Sequence, residues 1–169
     1  MEEIVNRVAK SPLISIDLED YLHRGEYVIF DVKQVLFEGL ILREKDFRMF
    51  LKEHDWQTYN GKNVGLICSA DAIVPTWAYM LLVTRMQEFA NSVTFGNEQA
   101  IEESLIDQAI KDCLQKNDFH EKKVVIKGCG NVKSIEYAYT KLTSALFPQV
   151  NSLMYGEPCS TVPIFKRKK

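Results

Sequence analysis

Apolar positions along this chain change their period several times, and the changes mark out its elements. Residues 13–18 and 27–32 are short apolar runs that read as strands, each followed by an amphipathic stretch. Residues 42–56 place Phe47, Phe50 and Leu51 at helical spacing. The Asn60-Gly61 turn signal leads into an apolar run, 64–68, expected as a buried strand. Pro75 suits the first turn of a helix reaching about residue 89. A strand over 92–95 then closes on Gly96. The same order returns further on: helix 105–114, strand 123–127, helix 134–147 with Ser134 as its N-cap, and strand 152–155. Residues 35–42 fit a strand or the approach to the first helix equally well.

The recurrence is a repeat. Residues 59–98 align without a gap on residues 119–158, each position pairing with the one 60 further on. Val64 meets Val124, Ala78-Tyr79 meets Ala138-Tyr139, Leu82 meets Leu142, Asn91-Ser92 meets Asn151-Ser152, and Phe95-Gly96 meets Tyr155-Gly156. In the preceding helices the offset is 63, setting Leu51 over Leu114 and Asp55-Trp56 over Asp118-Phe119. A duplicated supersecondary unit can bring loops distant in sequence around one site. Strands alternating with helices predict an α/β fold: two tandem α-β-α-β repeats, about 42–98 and 105–158, around a largely parallel sheet. The pair of N-terminal strands would complete that sheet. No linker rich in Gly, Pro or Ser divides the chain, so residues 1–169 are expected to form one domain with a shared core. Residues 77–86 are apolar nearly all round, which suits deep burial or the interface of a homo-oligomer.

Composition narrows the function. With 46% hydrophobic and 26% charged residues the chain is ordinary for a globular protein, and a net charge of −2 argues against a nucleic-acid partner. No apolar run approaches the roughly 18 residues of a membrane span. The opening MEEIVNRVAK lacks a basic region followed by an apolar one, so a cytoplasmic location is expected. The basic ending, Lys166 to Lys169, reads as a solvated terminus.

In a reducing compartment cysteines are free thiols, ligands or catalytic groups rather than disulfides. Cys68 ends one predicted strand, Cys129 follows its counterpart, and Cys159 follows the last strand. Ligands of open α/β sheets bind beyond the carboxyl ends of the strands, so these thiols are candidate ligands of one metal ion, zinc or iron, or of an iron–sulfur cluster. Asp71 and Glu157 could add oxygen ligands. The absence of a C-x-x-C pair argues against a closed zinc ribbon. Two other readings stand beside the metal site. Cys129, between Gly128 and Gly130 and ahead of a helix N-terminus, could be the nucleophile of a thiol enzyme, with Cys159 as resolving thiol. The cysteines could also be inert in a homodimeric scaffold. Cys113, on the apolar side of a helix, belongs to the core. His23 and His120 are scattered, and His54 is expected as a stabilising charge at a helix end.

Four strings carry a resemblance: LREKDF (42–47), CSADAIVPTWAYMLL (68–82), IKGCG (126–130) and YGEPCSTVP (155–163). Through them the chain resembles the bacterial family catalogued as domain of unknown function 2480, over nearly its whole length. The family has no assigned activity. The resemblance implies an association with iron–sulfur cluster assembly genes, which makes iron–sulfur assembly proteins the expected partners. The resulting expectation is a metal- or sulfur-binding accessory protein.

Overall fold

Runs of Val, Ile, Leu and Phe bounded by turn residues become parallel strands whose faces are covered by the intervening helices. The computed structural model describes residues 13–128 and 131–168. Its strands are β1 (Leu13–Ile16), β2 (Tyr27–Asp31), β3 (Asn63–Ile67), β4 (Ser92–Phe95), β5 (Lys123–Ile126), β6 (Ser152–Glu157) and β7 (Ser160–Lys166). Its α-helices are α1 (Glu44–Glu53), α2 (Thr76–Met86), α3 (Glu98–Lys116) and α4 (Ile135–Leu146). The α/β class and the largely parallel pairing agree with the sequence reading. The strands divide between two sheets, ordered β2-β3-β4 and β1-β5-β6-β7. One compact unit is Arg24–Ser104; the other combines the chain up to His23 with the chain from Leu105 onward.

The two N-terminal strands therefore do not lie side by side. Each leads its own repeat: β2 pairs in parallel with β3, setting Phe30 beside Leu66, and β1 pairs in parallel with β5, setting Ile16 beside Ile126. The physical reason is a second short repeat. LISIDL and YVIFDV present the same strand followed by an aspartate. Asp17 and Asp31 each cap a 3-10 turn, accepting from the backbone N–H of Glu19 at 3.1 Å and of Lys33 at 3.0 Å.

The packing repeats as well. On α2 the fully buried row is Ala78, Leu82, Met86; on α4 it is Ala138, Leu142, Leu146. Those rows fall into two hydrophobic clusters, one in each unit, with Val64 and Leu66 under α2 and Val124 and Ile126 under α4. Backbone bonds recur at the offset of 60: Gly61 N–H to Phe89 O at 3.0 Å and Glu121 N–H to Gln149 O at 2.8 Å, then Asn91 and Asn151 N–H to the carbonyls of Lys62 and Lys122, both at 2.8 Å. Asn63 is wholly buried because its side-chain carbonyl accepts from Asn91 Nδ2 at 2.7 Å and Ser92 Oγ at 2.9 Å. The Tyr27 hydroxyl donates to the buried carboxylate of Glu102, tying β2 to the first turns of α3; burial and that bond push the tyrosine pKa up.

Three elements differ from the sequence reading. α3 begins at Glu98, well before residue 105, because Asn97 Oδ1 accepts the Ala100 N–H at 3.2 Å and Ile101 joins the buried side. The segment after Tyr155 folds back antiparallel as β7. Pro163 is tolerated there because β7 is an outer strand, and the pairing shifts register between Leu153 and Met154, where Met154 faces that proline. The basic ending is held rather than free as far as Arg167, whose N–H bonds to Asn151 O at 2.8 Å and whose guanidinium donates to Pro148 O at 2.9 Å.

His54 also departs from its expected role. It follows α1 inside an aromatic cluster, with ring centroids of Trp56 at 4.5 Å, Phe50 at 4.8 Å and Tyr59 at 5.8 Å. Its Nε2 is buried with no hydrogen-bond partner among the described residues. Burial lowers its pKa below the ordinary 6.5, against the pull of the Asp55 carboxylate, so the ring is neutral rather than a helix-end charge.

Two measurements check this picture. Gly61 (φ 69°) and Glu121 (φ 55°) occupy the same left-handed turn position in the two copies. An added Cβ at Gly61 meets no atom within 4 Å, so only the dihedral penalty acts. Gly61→Ala should lower unfolding free energy by about 1 kcal/mol in urea titration, while Glu121→Gly gains less, since a new glycine also enlarges the unfolded ensemble. For His54 the unfolded chain binds a proton more readily than the folded one. Its contribution is therefore complete above pH 6.5 and lost as pH falls below that value. His54→Phe should remove that acid-side loss and, by deleting an unpaired buried nitrogen, raise stability at neutral pH by about 1 kcal/mol.

Candidate functional site

In Arg24–Ser104 the carboxyl ends of β2 and β3 are joined by side-chain chemistry. Asp31 Oδ1 accepts the Ser69 N–H at 3.0 Å, and Oδ2 accepts the Ser69 hydroxyl at 2.5 Å. Burial alone would raise the Asp31 pKa; the bonds from Ser69 and Lys33 outweigh it and hold the carboxyl below its ordinary value. The anion thus pins the residue next to Cys68. The Cys68 thiol is half-buried and donates to Ala70 O at 3.6 Å. Tyr79, on α2, sits edge-on to Phe95 with centroids 5.2 Å apart. Burial raises its pKa first and the nearby Asp31 carboxylate adds to the rise, so it is a neutral hydroxyl here. Ile73, in the loop after β3, and Phe95, at the end of β4, are 88% and 70% exposed.

The other unit repeats the clamp with different residues. Glu19, in the 3-10 turn after β1, accepts the Asn131 N–H at 3.1 Å and Nδ2 at 2.9 Å. In each unit a carboxylate at the end of the leading strand (Asp31) or in the turn after it (Glu19) therefore holds the loop that follows the central strand. The Tyr139 hydroxyl donates to Lys127 O at 3.0 Å, and the ring lies 5.4 Å from that of Tyr155. A Cβ on Gly128 would lie 3.1 Å from the Tyr155 hydroxyl, a close approach that favours glycine. Ile126, Ile135, Tyr139, Thr143, Tyr155 and Ile164 line a mainly apolar cavity of about 340 Å³.

The last turn brings Glu157 opposite Ser160, leaving Pro158 and Cys159 as a two-residue hairpin loop. Gly156 (φ 121°) is required before it, because an added Cβ would lie 2.6 Å from Ser160 O. Cys159 is consequently a free, exposed thiol at the apex.

Of the residues singled out from the sequence, Cys68 and Asp71 belong to one unit, and Glu157 and Cys159 to the other. Asp71, Glu157 and Cys159 are exposed. Cys129 lies outside the described residues. Among the described residues no three His, Cys, Asp or Glu side chains are grouped to hold a metal ion. α4 starts at Ile135, one residue after the expected position 134 and six residues beyond Cys129. Ser134 stands at the N-cap but makes no side-chain capping bond. Cys113 is fully buried in the core, where burial raises its pKa against a hydrogen bond with Tyr21. The clamps by Asp31 and Glu19 were not foreseen; the string YVIFDV, with its strand-ending aspartate, was the available signal for the first.

Exposure sets an order of reactivity. In a short iodoacetamide pulse read by mass spectrometry, Cys159 should label first, Cys68 more slowly, and Cys113 only on unfolding. Asp31→Ala, which frees Ser69, should raise the labelling rate of Cys68 several-fold and leave Cys159 unchanged.

No described helix is long and apolar enough to cross a membrane. Residues 2–167 match the family described as "Protein of unknown function (DUF2480)", and the chain belongs to that family. No curated protein and no solved structure matches it.

Proposed function

We propose that this family member is a cytosolic metal- or sulfur-binding accessory protein. Its cargo is a soft metal ion or sulfane sulfur, carried on thiols at the carboxyl edges of its sheets in support of iron–sulfur cluster assembly. The observation that carries this reading is Cys159, free and exposed at the apex of a two-residue hairpin whose first strand ends at Glu157. A thiol in that place can be reached by another protein, and sulfur ligands select soft metals over magnesium or calcium. Cys129 follows Gly128 directly, and Gly128 lies against Tyr155 of the hairpin's first strand. In this reading Cys159 and Cys129 take the cargo and Glu157 adds an oxygen ligand. Cys68, with Asp71 near it in sequence, supplies a further thiol on the other unit. Delivery would be to iron–sulfur assembly proteins.

The test uses full-length protein purified without an affinity tag under anaerobic conditions. Metal analysis and persulfide labelling should find cargo that is lost in both Cys159→Ser and Cys129→Ser and retained in Cys113→Ala. Protein that carries neither metal nor persulfide, and that binds no added zinc or copper(I), overturns the reading.

A further inference from the structure

β4 is an outer strand of its sheet, and among the described residues no strand pairs with its far side. Ser92 and Gly96 donate their N–H groups to Lys62 and Leu66, on the β3 side. Alternation along a parallel strand therefore directs the backbone groups of Val93 and Phe95 outward. Outer strands are commonly guarded by proline, a bulge or lysine. β7 carries all three, with Pro163, the shift at Leu153/Met154 and Lys166. Ser92-Val93-Thr94-Phe95 carries none.

The repeat shows what such an edge accepts. β6 is the counterpart of β4, and an antiparallel strand, β7, covers it. We propose that the open edge of β4 pairs antiparallel with β4 of a second copy, joining the sheets of two chains across a twofold axis. A twofold contact sets one patch against itself, so it must be free of like charge. Ser92 to Phe95 is uncharged throughout. The flank of that edge is apolar: Phe95 is 70% exposed on the side of the sheet where it meets Tyr79 of α2, and Met80 of the same helix is 64% exposed. Strand pairing at the axis would place these side chains of the two copies together and remove them from water. The inference stands apart from the thiol reading, since it uses no cysteine.

Sedimentation equilibrium of the full chain tests it. The protein should be a dimer. Val93→Pro removes an outward N–H that the monomer's ladder does not use, on both copies at once, and should weaken association roughly tenfold to a hundredfold. Phe95→Lys, at an exposed position, should do the same through like charge at the axis. Circular dichroism confirms that each variant is folded, and Phe95→Lys carries the test should Val93→Pro unfold. A wild-type chain that stays monomeric at high micromolar concentration, or a dimer that survives Phe95→Lys in folded protein, overturns the proposal.

Discussion

Everything in this structure depends on the backbone pairing of two central strands, β3 and β5, each held between parallel neighbours. A parallel strand in mid-sheet has no polar face to turn towards water, so it must be apolar throughout and covered above and below. Val64 and Leu66 of β3, like Val124, Val125 and Ile126 of β5, are almost wholly buried. That demand explains the helices. α2 and α4 offer small and long apolar side chains in the order Ala, Leu, then Met or Leu, and lay them against the central strand of their own unit. It also explains why the loops leaving the central strands carry the candidate chemistry. They are the first positions at which the chain is released from the ladder, and a carboxylate at or just after the neighbouring strand's end then fixes each of them.

The repeat made much of this legible. An offset of 60 residues located the helices and strands around both cores and the buried rows within them, because duplicated packing leaves duplicated apolar spacing. The turn at Gly61 and Glu121 shows how far the backbone is copied even where the residue differs. Less visible was the fate of the first two strands. Their likeness extends over only a few residues, and which partner a strand chooses is decided by long-range pairing rather than local pattern. β7 was hidden by its own composition: Pro158 and Pro163 read as loop signals, and only its position at the edge of a sheet makes Pro163 compatible with pairing.

At the candidate site the sequence placed the cysteines along the chain better than it arranged them in space. It set Cys113 in the core and the other cysteines at strand ends. It did not reveal that Cys68 and Cys159 belong to different units, because one core shared by both repeats was expected. The hydrogen bonds of Asp31 to Ser69 and of Glu19 to Asn131 span 38 and 112 residues, beyond any local motif.

One consequence concerns how the chain is made. β1 is made well before its partner: Leu13 pairs with Lys123, across the whole of the intervening unit. The intervening unit, Arg24–Ser104, holds all of its own strand partners and can collapse as soon as β4 has emerged. Until β5 is synthesised, β1 has no ladder to join, and its closure makes the longest-range strand pairing among the described residues. Assembly therefore runs from the inside of the sequence outward, and β1, made before the intervening unit, is placed after it.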